Sequence, residues 1–411
     1  MGCRVTLGDI CSFDRGASIP RTRMLDSGDL LYIHYGDLYK GFDLRIDVEK
    51  PAKPLPFISA DEKIKDSQRL NDQDIVYVLT SETVDDLGHA YLFNNPSGKS
   101  AVSGTETTIV RVERKDVVLP AYLNYLMSSP KFISELRQYT RGMKVFRVHP
   151  NDVARIEVDL PSIDEQRKIV AILDAIYEKQ QTNTKLNGYL LEAAKALLTE
   201  KVYTEKPYGT TTVREFVKSM TNGATPSRKK DEYWNDGTIP WVKTGEVNNN
   251  LIFETSEHVT ELALEKTSIR LLPKDTLVMA LYGSGTAGRL ALLKTPATTN
   301  QACTAMVCNS AVESFYLFLT LQGMYREIDS LTRGSVQQNL SKDIVADLEI
   351  PNVTEEALEA FNLKRFYDLI ALNEQGSLYL AELRDALLPK LMSGEIDVSK
   401  VDLTQLNSHL A

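Results

Sequence analysis

The stretch 161–198, PSIDEQRKIVAILDAIYEKQQTNTKLNGYLLEAAKALL, decides the fold once it is laid beside 351–388, PNVTEEALEAFNLKRFYDLIALNEQGSLYLAELRDALL. Each opens on a proline that closes a strand-like run, ARIEVDLP at Pro161 and VADLEIP at Pro351. Each continues with helical periodicity to an Ala-Leu-Leu, at 196–198 and 386–388, so the two stay in step without a gap. A seam of period 3.5 is read through the first at Ile169, Ile172, Ile176, Lys179, Asn183, Leu186, Leu190, Ala193 and Leu197. The second offers Phe366, Leu369, Leu380, Leu383 and Leu387, with Asn373 at the place of Asn183 and Gly376 nearby. At 1.5 Å per residue, each segment of about 37 residues predicts a helix about 55 Å long. Two equal stripes predict an antiparallel coiled coil about a pseudo-two-fold axis. Its midpoints bring Asn183 close to Asn373, a buried polar pair that fixes helix register.

Outward from the helices, the repeat continues more loosely. Arg15-Gly16-Ala17 matches Asn222-Gly223-Ala224, each followed by a proline (Pro20, Pro226). The run YIHYGD at 32–37 matches WVKTGE at 241–246, and Thr140-Arg141-Gly142 matches Thr332-Arg333-Gly334. Residues 1–160 and 201–352 therefore read as two α+β globular units, each followed by a long helix (161–200 and 353–396), with a tail at 397–411. Short β-rich runs such as DIVYVLT, TTIVRV, TLVMALY and LALL are separated by turn formers. Helical stretches (PAYLNYLMSSPKFISELRQYT and ESFYLFLTLQGMYREIDSLT) fall late in both, and 201–212 reads as a polar linker.

The 411 residues are 43% hydrophobic and 25% charged, enough for two or three domains with real cores. No apolar run is long enough to span a membrane, and the start MGCRVTLGDICSF does not read as a secretory signal. Four cysteines in so long a chain make no disulfide framework, so a reduced cytoplasmic protein is expected. The net charge of −9 argues against a generally basic nucleic-acid binder. Any DNA contact must come from local patches. One lies between Lys131 and Arg147, with Arg137, Arg141 and Lys144 against Glu135 alone; another is Arg228-Lys229-Lys230.

Several motifs lead nowhere. No Asn-Pro-Pro-aromatic or Asp-Pro-Pro-aromatic string exists, so the chain lacks a methyltransferase signature. Gly283-Ser284-Gly285-Thr286-Ala287-Gly288 fits G-x-G-x-x-G, but the strand-like RLALLKTP follows where a dinucleotide site needs a helix, so a Gly-rich hairpin loop is expected. Gly98-Lys99-Ser100 is no phosphate loop, since Phe93 stands where its first glycine should be. Cys303 and Cys308 lack a second Cys/His pair, and the five histidines have no metal spacing.

The chain resembles the specificity (S) subunit of type I restriction–modification enzymes over essentially its whole length. The most specific strings are LPSIDEQRKIVAIL (160–173), GATPSR (223–228), LLPKLMSGEIDVS (387–399) and the two Thr-Arg-Gly loops. The first unit departs with GASIPR, and the second helix opens with NVTEEALEAF rather than a DEQ string. The resemblance implies that 1–160 and 201–352 are target recognition domains, one per half of a split, asymmetric sequence in double-stranded DNA. It implies that the helices set the spacer and dock two methyltransferase (M) subunits, with restriction/translocase (R) subunits completing the complex. S-adenosylmethionine, ATP and Mg then belong to those partners, and this chain is not itself an enzyme.

Phosphates want Arg and Lys, and base edges want Arg or Lys for guanine and Asn or Gln for adenine. The first Arg-Gly loop, TRGMKVFRVHP, offers Arg141, Lys144, Arg147 and His149; the second, TRGSVQQNLSK, offers Arg333, Ser335, Gln337, Gln338 and Asn339. Arg21 and Arg23, then Arg228, Lys229, Lys230 and Tyr233, follow the two Gly loops, and Tyr282 and Arg289 flank the Gly-rich hairpin. Two other readings stand beside this one: a specificity subunit of another bipartite restriction system, and a coiled-coil protein–protein scaffold without DNA specificity.

Overall fold

The structure, a computed structural model, describes all residues except Met1, Lys40, Ala52, Asp85, Lys206, Pro207, Ser284, 334–339 and 402–411, and of Thr332 and Arg333 it describes the backbone alone. Two compact units result. One joins residues 1–179 to 380–411; the other is the continuous segment 180–379.

The repeat read in the sequence reappears in the five-stranded and three-stranded sheets of the two units. In the first unit a five-stranded sheet runs in the order Cys11–Arg15, Thr107–Val112, Ile75–Val78, His89–Asn94, Arg45–Asp47. In the second the order is Ser219–Asn222, Cys303–Val307, Leu277–Ala280, Leu290–Leu293, Asn250–Ile252. Each sheet is antiparallel until its last pair, which is parallel in both (Ile46 opposite Phe93, Leu251 opposite Leu292). A three-stranded sheet accompanies each: Phe57–Ile58, Leu30–Ile33, Ala101–Ser103, and His258–Val259, Ile239–Val242, Thr298–Thr299. The central strands of the five-stranded sheets are continuous apolar runs because both faces are covered. Helices Pro120–Met127 and Ala311–Gly323 pack with the main cores, and the small sheets with the others.

The equivalence reaches single bonds. Gly16 N donates to Thr107 O and Ala17 N to Ser103 O; Gly223 N donates to Cys303 O and Ala224 N to Thr299 O. Both glycines are demanded by this approach, since a Cβ would lie 2.0 Å from the Gly104 carbonyl oxygen and 2.2 Å from that of Thr299. The Tyr32 hydroxyl donates to Ala17 O at 2.6 Å, and the Trp241 indole donates to Ala224 O at 3.1 Å. Two different rings satisfy one backbone requirement.

The first long helix runs Ile163–Leu198. Ser162 and Glu165 close a capping box, Ser162 N donating to Glu165 Oε2 at 2.9 Å. The fully buried Gln166 accepts from Leu119 N and donates to Val117 O and Pro161 O, each at 2.9 Å, which fixes the helix start to the unit. The second helical segment is not continuous. A short helix Glu355–Ala360 ends at Asn362, whose φ of 55° breaks the hydrogen-bond ladder, and the long helix is Leu363–Met392.

Each unit holds part of both long helices. In the first, Ile169 and Leu173 share a core with Leu388, Leu391 and Val398. In the second, Ala194 and Leu198 share a core with Leu363, Tyr367 and Ile370. The helices pair antiparallel there, since Gln180, Asn183 and Asn187 reach Ser377, Asn373 and Ile370 in descending order. The seam differs in phase from the expected one. Ile169, Ile176, Asn183 and Leu190 lie in it, but the alternate positions are Leu173, Gln180, Asn187 and Ala194. Leu186, Leu369 and Leu383 are 44%, 37% and 46% exposed. Periodicity selects the apolar residues beside the seam because its central members, Gln180, Asn183 and Asn187, are amides. The linker reading of 201–212 also changes: Val202 is buried in the second core, and Thr210–Thr212 pairs with Glu349–Pro351.

Each unit also ties its sheet region to a long helix through a part-buried polar contact. Arg45 pairs with Asp174 and lies over the Tyr177 ring, and Tyr125 donates to Asp174 at 2.8 Å. In the second unit Tyr367 donates to Asp275 at 2.6 Å and Lys294 pairs with Asp275 at 2.9 Å. No helix among the described residues is long and apolar enough to cross a membrane, and no described cluster of His, Cys, Asp and Glu could hold a metal ion.

Candidate nucleic-acid interface

The first Arg-Gly loop is a built hairpin. Arg141 and Arg147 exchange both backbone hydrogen bonds, each 2.9 Å. The returning strand, Phe146–Arg147, pairs with Thr80–Ser81, and Phe146 packs on the main core. Gly142 takes φ +115°, where a Cβ would stand 2.1 Å from the Val145 carbonyl oxygen, so the turn closes only around glycine. His149 caps the following helix, its Nδ1 accepting from Asn151 N at 3.1 Å.

This hairpin forms one wall of a cleft of about 640 Å³. Three of the four residues expected from the loop line it: Arg141, Arg147 and His149. Arg15 and Thr105 to Thr108 are on its other sides. Arg141 is paired with the buried Asp152 at 2.9 Å and Arg147 with Glu106 at 3.4 Å. Arg15 and Lys144 are exposed and have no carboxylate partner among the described residues. The cleft thus offers two held guanidiniums, a free one and an imidazole, against the single carboxylate of Glu106. Donors of this kind suit phosphate and guanine acceptors.

Arg15 was legible only as part of a repeated Arg-Gly-Ala, and not as a reader. Its counterpart, Asn222, is also exposed. An arginine and an asparagine at matched places present different chemistry to whatever the two units meet. Met143, also unread in the sequence, stands at the tip of the hairpin and is 94% exposed.

Most of the remaining described candidates have internal partners. Arg21 contacts Asp37 at 3.5 Å and Arg23 pairs with Glu62 at 2.7 Å on the short helix Arg21–Arg23. Arg228 lies over Trp234 at 3.6 Å and Trp241 at 4.8 Å, and pairs with Glu257 at 2.6 Å. Tyr233 is 6% exposed in a small core with Trp241 and Val259, and Lys230 donates to its hydroxyl at 3.1 Å. The aromatic residue expected to face DNA is therefore core, and of this cluster Lys229 alone is exposed without a described partner. Tyr282 donates to Gln301 O at 2.9 Å, and Arg289 to Asn248 Oδ1 at 2.9 Å. The Gly-rich segment between them is a turn joining antiparallel strands, with Leu290–Leu293 following it and no helix. Helix Tyr325–Arg333 extends to Arg333, whereas Pro130–Arg137 ends before Thr140. The expected readers Ser335, Gln337, Gln338 and Asn339 lie outside the described residues, as does the Arg333 side chain.

The family model described as type I restriction modification DNA specificity domain matches twice, over residues 4–190 and 205–379. The chain belongs to this family. It is a specificity subunit of a type I restriction enzyme and itself non-catalytic. Among relatives, the type I restriction enzyme MjaIX specificity subunit of Methanocaldococcus jannaschii is 23% identical over 310 residues, 70% of this chain and 71% of that one. The EcoR124I/EcoR124II specificity subunit of Escherichia coli is 29% identical over 140 residues, 33% of this chain and 35% of that one. The crystal structure of a type I restriction–modification system S subunit from M. genitalium shares the fold, with a TM-score of 0.53 at 14% identity over 95% of this chain and 96% of that one. Each of the two family matches contains one five-stranded sheet, its three-stranded companion and the start of a long helix. The duplication that the specificity family carries is thus the duplication seen in the sheets.

Proposed function

We propose that this specificity subunit reads a split, asymmetric sequence in double-stranded DNA, one half through each unit. The observation that carries this reading is the pairing of identical strand order with unlike exposed residues at matched places, Arg15 against Asn222. Two copies of one scaffold with different side chains suit two different half-sites. The first unit presents its cleft and the Arg141–Arg147 hairpin. The second offers Lys229, exposed and without a described partner, as a phosphate contact, and Arg333, Ser335, Gln337, Gln338 and Asn339 as the proposed readers of its half-site.

In this reading the long helices set the spacer and dock two methyltransferase subunits, and restriction/translocase subunits complete a cytoplasmic complex. Methyl transfer from S-adenosylmethionine and ATP- and Mg-dependent cleavage belong to those partners. The acidic balance of this chain is then offset locally by its own arginines and by basic surface on the methyltransferases.

A genome-wide adenine-methylation map of the host, with and without the gene, tests the proposal. Loss of one split motif on deletion supports it and gives both half-sites at once. No change, followed by failure of randomised-duplex selection with the partner methyltransferase present, favours a scaffold.

A further inference from the structure

We infer that Met143 is an unstacking wedge, entering the duplex between two base pairs of the half-site met by the first unit. The inference rests on the proposal that this unit faces DNA. An isolated exposed apolar residue means nothing alone. Here it is 94% exposed, more than any other large apolar side chain among the described residues, and its setting gives the exposure content.

First, the tip is held. The paired backbone bonds of Arg141 and Arg147, the close turn at Gly142 and the packing of Phe146 leave Met143 on a short closed loop. Little ordering entropy is lost when such a loop inserts. Second, the flanks are cationic. Arg141, Lys144 and Arg147 are exposed around Met143, and Arg15 lies across the cleft. Cations on both sides of a wedge contact phosphates while the tip enters the stack. That charge favours nucleic acid over an apolar protein groove as the occupant. Third, the chemistry fits. Methionine is slim, unbranched and polarisable, and apolar side chains of this class unstack and kink a base step on insertion. No hydrogen bond to a base is required. Met143 would therefore select a step that deforms easily rather than a base edge.

The test uses the full chain with its partner methyltransferase on duplexes carrying the mapped half-site. Met143→Ala, Met143→Leu and Lys144→Ala are compared across salt concentrations. They are then compared on a duplex series with one mismatch or abasic position moved step by step. Because Met143 touches solvent almost wholly, its replacement leaves folding intact. Met143→Ala should weaken binding to the intact duplex by about tenfold, the scale expected when a wedge that opens a step is removed. Its salt dependence should be unchanged, one pre-opened step should restore binding to within about twofold, and Met143→Leu should bind as the native chain. Lys144→Ala should instead lower the salt slope by about 0.9 and be restored at no step.

Native affinity for Met143→Ala, or a loss restored at no step, overturns the wedge. So does a loss that tracks weaker association with the methyltransferase. If Lys144→Ala and Arg141→Ala also bind DNA as the native chain does, the DNA-facing reading of the unit has failed, not the wedge alone.

Discussion

Asn183 donates from its side-chain amide to the main-chain carbonyl of Asn373 at 3.2 Å, and to Ser377 Oγ at 3.1 Å. Around this bond the helices exchange further amides. Gln180 donates to Ser377 O at 2.9 Å, Asn187 to Ile370 O at 3.1 Å, and Asn373 to Asn187 Oδ1 at 2.8 Å. Each bond exists at one axial level, so sliding one helix along the other breaks the set. An apolar seam would tolerate that slip more readily. Asn187→Ala leaves the Asn373 amide without this partner and should lower unfolding free energy by about 1–3 kcal/mol, read as a lower urea midpoint at unchanged slope.

Tyr32→Phe should be nearly as damaging despite losing one atom. The hydroxyl donates to Ala17 O and accepts from Ile19 N at 3.0 Å and Thr105 N at 2.9 Å, all around a fully buried ring. Removing it orphans main-chain groups at a cost of about 1–3 kcal/mol, measurable by denaturant unfolding.

Arg15→Ala should act on binding alone. Its guanidinium has no carboxylate partner among the described residues, so stability should stay within about 0.5 kcal/mol. Affinity should fall, with the salt slope reduced by about 0.9 if a phosphate contact is lost. Asn222→Ala, at the matched place, should relax only the other half of the methylated motif. Loss of specificity in the same half from both substitutions would refute one unit per half-site.

Glu374 gives the stability a pH dependence. Burial pushes its carboxyl up from 4.5 to about 7, against a main-chain hydrogen bond from Leu251 and the nearby Lys294. The folded chain therefore holds a proton that the unfolded chain releases. Between about pH 4.5 and 7 this contribution to stability declines as pH rises, and above that window the buried carboxylate is a net cost. Glu374→Gln should flatten this segment of the profile and raise the melting temperature at pH 8 relative to the native chain.

The thiols separate into one reactive and three silent. Cys11, Cys303 and Cys308 are buried, and burial pushes each up to about 12, whereas Cys3 is exposed. A thiol reagent at pH 8 should titrate one group rapidly in the native chain and all four cysteines in urea.

Much of this architecture was legible because the chain states it twice. The helix starts, the closing prolines and the Gly-Ala turns repeat, and strand order followed with them. What escaped was set by partners distant in sequence. The seam phase is hidden because Gln180 and Asn187 occupy positions where periodicity looks for leucine. The break at Asn362 depends on one left-handed residue, which a helix pattern does not show. Arg228, Lys230 and Tyr233 look like a basic aromatic patch until Glu257, Trp234 and Trp241 are folded around them. Arg15 and Met143 were visible as residues but not as site members, since only the fold brings Arg15 to the hairpin cleft and lifts Met143 to its tip.

The division of the chain also fixes an order of completion. One unit needs residues 1–179 and then 380 onward; the other is uninterrupted from 180 to 379. A ribosome adding 5–20 residues per second takes about 10–40 s to cross the roughly 200 residues between. Throughout that interval Ile169 and Leu173 lack Leu388, Leu391 and Val398, the residues that later cover them. The unit begun first is finished last, and its open apolar face is what a nascent-chain chaperone would find.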